Sequence, residues 1–139
     1  MTDESMLLSA VETYRDAFDA TPEAAVFAPG RVNLIGEHTD YNDGFVLPFA
    51  LPQKTIIVGS RVYNSTESSV ISITIDKSAP PVKFVINSSL SKGEPSWANY
   101  VKGTVFQYIK ELPPNFAFNA VIISNVPSGS GLSSSAALE

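Results

Sequence analysis

Ala28-Pro29-Gly30-Arg31-Val32-Asn33-Leu34-Ile35-Gly36-Glu37-His38-Thr39-Asp40-Tyr41 is the stretch on which the reading of this chain turns. Between Arg31 and Tyr41 stand a guanidinium, an amide (Asn33), two carboxylates (Glu37 and Asp40), the only histidine (His38) and a phenol. Val32, Leu34 and Ile35 suit a strand, whereas nothing apolar alternates through residues 37–40. Gly30 and Gly36 punctuate the run and Pro29 fixes its entry. A polar segment that dense, beside a short apolar anchor, fits a loop held by a sheet, where binding residues concentrate. Carboxylates accept hydrogen bonds from sugar hydroxyls, and a neutral imidazole can add a donor or an acceptor. Arg31 offers a fixed fork of donors to an anionic oxygen. Recognition of a polyol is one account of these residues; a solvated surface loop with a buried salt bridge from Arg31 to Glu37 or Asp40 is the other.

The flanks supply the sheet and its helices. Leu7, Val11, Tyr14 and Phe18 recur at three and four, which predicts a helix over 4–19 with Thr2 or Asp3 as its cap. Residues 24–28 read as a strand leading into the opening stretch, and Asn42-Asp43-Gly44 as a turn. Residues 45–51 return as an extended apolar segment in which Pro48 indicates an edge or bulge. A separate strand is expected over 54–62. Ile71, Ile73 and Ile75 alternate with Ser72 and Thr74, and Val82, Phe84 and Ile86 do the same, giving two antiparallel strands joined through Ala79-Pro80-Pro81. A second helix is expected over 97–110, with Trp97, Val101, Val105 and Tyr108 on one face. A final strand is expected over 116–125. Trp97, at the helix start, suits either stacking on an adenine ring or covering the edge of the core.

Directly after that last strand comes Pro127-Ser128-Gly129-Ser130-Gly131-Leu132-Ser133-Ser134-Ser135-Ala136-Ala137-Leu138-Glu139. The glycines allow a tight turn and a close approach of backbone to a ligand. Strand, glycine loop and a serine-capped helix start together suit an anion. The Gly-Lys-Ser/Thr ending of a Walker A loop is absent, and Ser134 stands where a G-x-G-x-x-G run would place its third glycine. A flexible Gly/Ser linker has the same composition, though linkers do not usually run from an apolar strand into Ala-Ala-Leu-Glu.

Composition bounds the rest. The 139 residues suit one domain, and 44% hydrophobic content is enough to build a core. Without cysteine there is neither a disulfide frame nor a thiolate zinc site. Nine basic against 14 acidic residues give a net charge of −5, and no local basic patch offsets it, which argues against a nucleic-acid partner. No apolar run approaches the ~18 residues of a membrane span, and the start Met-Thr-Asp-Glu-Ser lacks the basic lead of a secretory signal. A cytoplasmic monomer away from membranes is expected.

The run from Gly30 to Tyr41 resembles the galactokinase signature at every position, and Trp97-Ala98-Asn99-Tyr100-Val101-Lys102-Gly103 resembles a further segment of galactokinases. Pro127 with Gly131-Leu132-Ser133-Ser134-Ser135-Ala136 resembles the phosphate-binding motif of the GHMP kinases, the family of galactokinase, homoserine kinase, mevalonate kinase and phosphomevalonate kinase. The resemblance implies the α+β N-terminal domain of GHMP kinases, of the ribosomal protein S5 domain 2-like type. That is a mixed β-sheet backed by helices, here spanning residues 1–139 and incomplete at its C-terminal end. It implies ATP-dependent phosphorylation of the C1 hydroxyl of galactose, with ATP and magnesium as cofactors.

Residue by residue, the resemblance places Glu37, His38 and Asp40 on galactose hydroxyls. Arg31 falls beside the C1 hydroxyl, where it stabilises the transferring phosphoryl group. Gly129, Ser130, Gly131, Leu132, Ser133, Ser134 and Ser135 would cradle the ATP phosphates, Ser135 or else Ser134 would help hold magnesium, and Trp97 would stack on adenine. The family's catalytic aspartate, second magnesium carboxylate and a further sugar-binding tyrosine fall outside residues 1–139 in the family pattern. Asp40 and Asp43 do not inherit the role of base, and the 139 residues alone are expected to show no useful turnover. Two relatives share the sugar signature. A galactose sensor or transcriptional inducer can carry a shortened Ser-Ala segment, intact here at Ser133 to Ala137; an N-acetylgalactosamine kinase looks less close over His38 to Phe45. A structural role for both motifs is the remaining alternative.

Overall fold

In the computed structural model, residues 2–75 and 78–139 are described, without the side chains of Glu37 and Asp40. The chain opens with helix α1, Asp3–Phe18, capped by Thr2, whose hydroxyl accepts from the Ser5 amide. Asp3 and Glu4 in the first turn and Arg15 in the last complement the helix dipole. Its buried line is Met6, Ala10 and Tyr14, each four residues from the next. The stripe expected from sequence lies one row over: Leu7 is exposed, and Val11 and Phe18 pack only at the margin. Ala10, the smallest of the three, is fully buried on the face turned to the sheet.

The sheet has five strands: β1 Ala24–Asn33, β2 Pro48–Val62, β3 Glu67–Ser72, β4 Val82–Val85 and β5 Ala117–Ser124, in the order β1-β2-β5-β3-β4. All neighbours are antiparallel except β3 and β5, so the sheet is mixed, as expected. The segments expected at 45–51 and 54–62 are one strand from Pro48 onward. Pro48 begins it, paired with Asn33, and β5 joins only at Thr55, so the proline leaves no ladder bond unmade on a second neighbour. β3 ends at Ser72 rather than at Ile75. Beyond it the Ile73 amide donates to Ile122 O, and Thr74 Oγ1 then pairs with Ser124, accepting from its amide at 2.6 Å. A side chain there takes over from the backbone ladder.

Side chains alternate between the two faces of the central strands. Ile56, Val58, Ile71, Val121 and Ile123 meet α1 on one face. Val70, Ala120 and Ile122 lie on the other, under Trp97, Val101 and Leu138. Trp97 precedes helix α3, Ala98–Gln107, which is shorter than expected and leaves Tyr108 exposed; Leu138 ends helix α4, Ser134–Leu138. With helices on both faces, β5 is shielded above and below. Burying Val58 and Val121 completely contributes roughly 1.5–3 kcal/mol each. Among the described residues no helix is long and apolar enough to cross a membrane.

Candidate functional site

β1 and β2 form an antiparallel hairpin whose connection, residues 34–47, holds the polar half of the opening stretch. Leu34 N donates to Leu47 O and Leu47 N to Ile35 O, closing the neck of the loop. Inside it the short helix α2, Glu37–Asp40, follows Gly36 at φ +109°. A Cβ on Gly36 would stand 2.7 Å from Phe45 O, so the turn admits only glycine. Thr39 Oγ1 lies 2.9 Å from both the Gly36 and Phe45 carbonyls and holds the loop closed on itself.

His38 is exposed, with Nδ1 2.6 Å from the Tyr41 hydroxyl, the two rings edge to face, and its carbonyl accepts from Asn42 Nδ2. The imidazole is therefore fixed through one nitrogen, and among the described residues Nε2 has no hydrogen-bond partner. The side chains of Glu37 and Asp40 lie outside the described residues. Arg31 is exposed on β1, paired with Ala50.

The glycine-rich segment is tied at both ends. At its start, Asn125 donates its amide to Lys54 O and accepts the Lys54 amide on Oδ1 at 2.7 Å, while Ser124 Oγ meets Thr55 Oγ1 at 2.9 Å. Further on, Leu132 O accepts from the Arg31 amide at 3.1 Å. Between these anchors Gly129 and Gly131 take φ of +69° and +73°, with open space where a Cβ would stand. Ser130 Oγ donates to Pro127 O. Ser133 is left-handed at φ +62° and makes no side-chain cap to α4. The serine cap expected there is replaced by a hydroxyl that the helix does not use.

One cleft of about 250 Å³ joins this loop to α3: Trp97 and Tyr100 face Gly129, Ser134 and Ser135, over a floor that includes Thr55 and Ser124. That is slightly below the ~300–1,000 Å³ usual for small-molecule sites. Ser130, Gly131, Leu132 and Ser133 do not line it, nor do Arg31 and His38. The Trp97 indole packs on Ile122 and its neighbours, covering the edge of the core, and also walls the cleft. Among the described residues no group of three or more histidine, aspartate or glutamate side chains could hold a metal ion. The hydroxyls of Ser134 and Ser135 are the cleft's own candidates for one.

Residues 12–61 match the family model of the galactokinase galactose-binding signature, and residues 99–139 that of the GHMP kinases N terminal domain. Dog (Canis lupus familiaris) galactokinase is 48% identical over 138 residues, covering 96% of this chain and 34% of that protein. The chain belongs to the galactokinase family. The structure of Lactococcus lactis galactokinase complexed with galactose superposes with a TM-score of 0.81 at 31% identity, over 96% of this chain and 34% of that one. The Methanococcus jannaschii mevalonate kinase shares the fold, with a TM-score of 0.66 at 18% identity over 83% of this chain and 36% of that one. The chain thus spans about a third of the length of the galactokinases it matches.

Sequence reasoning missed Tyr100 as a wall of the cleft. Its spacing of three from Trp97, at the start of the expected helix, was the available signal. It also missed the floor, Thr55, Ser72, Thr74 and Ser124, because these polar residues read as the outward side of strands. The contact of Gly30 with the glycine loop had no local signal at all.

Proposed function

We propose that these 139 residues form the galactose-recognition and phosphate-loop part of a GHMP kinase domain, in a protein that transfers the γ-phosphoryl group of ATP to the C1 hydroxyl of galactose. The observation that carries the reading is the cleft in which the indole just before α3 and a phenol on α3 face Gly129, Ser134 and Ser135. An aromatic wall opposite a turn of glycines and serines suits a nucleotide, with the base on Trp97 and the phosphates over residues 129–135. The neighbouring hairpin loop, within the matched galactose-binding signature, supplies the sugar groups.

In this reading Glu37, His38 and Asp40 take galactose hydroxyls, and Tyr41 orients the His38 ring so that Nε2 faces the sugar. Arg31, at the point where β1 meets the glycine loop, places its charge on the phosphoryl group as it moves. Ser135, or Ser134 beside it, contributes a hydroxyl to magnesium, whose bound charge would neutralise that of the phosphates. The chain binds and orients, which is most of what phosphoryl transfer requires. A general base, worth ~10²–10⁴-fold, is assigned by resemblance to residues outside these 139. Leu34, Ile35, Phe45, Leu47 and Phe49 are exposed around the sugar loop. Such an apolar rim fits a site whose remaining wall comes from elsewhere in a galactokinase-length protein. No observation favours the sensor or the N-acetylgalactosamine kinase.

Heteronuclear NMR titration of the chain tests this. Galactose, and not glucose, should move the amide signals of residues 31–41, and MgATP those of residues 127–135 together with the Trp97 indole. Galactose 1-phosphate should stay at background. Absence of both responses would refute the binding assignments, and stoichiometric galactose 1-phosphate would refute the placement of the base.

A further inference from the structure

Gly30 sits where the β1–β2 ladder changes register. Pro29 pairs with Lys54 and Arg31 with Ala50, so β1 uses one residue, Gly30, where β2 uses the three at 51–53. A Cβ added at Gly30 would stand 2.9 Å from Leu132 O and 3.1 and 3.4 Å from the two γ-carbons of Val126. Its φ lies outside the left-handed region, unlike those of Gly36, Gly129 and Gly131, so alanine could adopt the backbone. What alanine lacks is room. The obstructing atom is a main-chain carbonyl, which cannot rotate away. That carbonyl is also the acceptor for the Arg31 amide. Leu132 is aimed at β1 by the left-handed residues on either side, Gly131 at φ +73° and Ser133 at φ +62°. A left-handed serine is disfavoured and persists only where its surroundings fix it.

We infer that Gly30 is a positioning residue that seats the glycine-rich loop on the galactose signature, so that one close backbone contact sets the spacing between the two binding motifs. The inference rests on the proposed nucleotide role of the loop, and it adds what fixes the loop's place. Displacing Leu132 O by a few tenths of an ångström would lengthen and weaken its 3.1 Å hydrogen bond from the Arg31 N–H and shift the loop relative to the strand that carries Arg31. Misplacement on the order of 1 Å can cost ~10²-fold in rate.

The test compares the chain with its Gly30→Ala and Gly30→Ala/Val126→Ala variants. In the unmodified chain the Arg31 amide should exchange slowly with D₂O. In Gly30→Ala it should exchange at least ~10-fold faster while the Val58 and Val121 amides keep their protection. MgATP affinity should fall ~10-fold with galactose affinity held within about twofold. Removing the Val126 methyls gives the added Cβ somewhere to move, so the double variant should recover part of both losses. Fast exchange at Arg31 in the unmodified chain overturns the inference whether or not any variant folds. So does a Gly30→Ala chain that keeps its Arg31 protection, or one that loses Val58 and Val121 protection together with both affinities. Should the unmodified chain bind no nucleotide, the proposed function fails while the exchange comparison still decides the seat.

Discussion

Trp97 is the only tryptophan in the chain, and it stands between the core and the cleft. Replacing it by leucine separates its two roles. Leucine retains apolar contact with Ile122 and Val101, so a half-buried indole lost there should cost about 1–2 kcal/mol of stability. Stacking of a base on an aromatic ring is worth ~1–3 kcal/mol by truncation, a loss of roughly 5–150-fold in nucleotide affinity. In the unmodified chain, emission from this single indole reports the site directly. MgATP should change it saturably, and galactose, bound at the hairpin loop, should not. Equilibrium dialysis then gives the nucleotide Kd for Trp97→Leu, and urea unfolding gives its stability. Nucleotide binding by dialysis without any change in Trp97 emission would refute the stacking role. Destabilisation of Trp97→Leu with unchanged Kd would reduce the indole to a core cover.

Tyr41→Phe removes the hydroxyl that holds His38 Nδ1. A hydrogen bond of net value ~0.5–1.5 kcal/mol should cost ~2–10-fold in galactose affinity and leave MgATP affinity alone, and the imidazole ¹⁵N shifts of His38 should show freer tautomer exchange. Gly129→Ala forces a side chain into φ +69° where there is space but a penalty of ~1–2 kcal/mol; calorimetric titration should show weaker MgATP binding, and the melting temperature should fall by about 3–10 °C. Thr2→Ala deletes the α1 cap and should cost ~1 kcal/mol in denaturant unfolding. Val121→Ala, in the central strand, should cost about 2–3 kcal/mol in the same assay.

The sequence-derived elements hold where periodicity and punctuation agree. Thr2 does cap α1, Asn42-Asp43-Gly44 does turn, with Asp43 at φ +57°, and β3 and β4 do form a hairpin. The misreadings share a cause, which is that patterns report local geometry and not the neighbour. The stripe expected on α1 from spacing shares Tyr14 with the buried line, but the sheet selects the row of Met6 and Ala10, where little side chain intervenes, over that of Leu7 and Val11. Ile75 alternates as if in a strand, yet Thr74 has already replaced the ladder with its hydroxyl. Both site motifs could be read as runs of residues, because their chemistry is contiguous in sequence. The bond from Arg31 to Leu132 links residues a hundred positions apart, and no local pattern announces it.

The place of β5 in the sheet has a consequence for how the chain acquires its shape on the ribosome. The middle strand, residues 117–124, is translated last of the five. Until it emerges, β2 and β3 have no common partner, and the inward edges of both hairpins display unpaired amides and carbonyls beside Ile56, Val58, Val70 and Ile71. Such edges recruit strands from other chains. Contacts distant in sequence also form slowly. Between the completion of β4 and the arrival of β5 the nascent chain therefore carries two open hairpins. Their closure, and with it the launch of the phosphate loop directly from the end of β5, is a single late event.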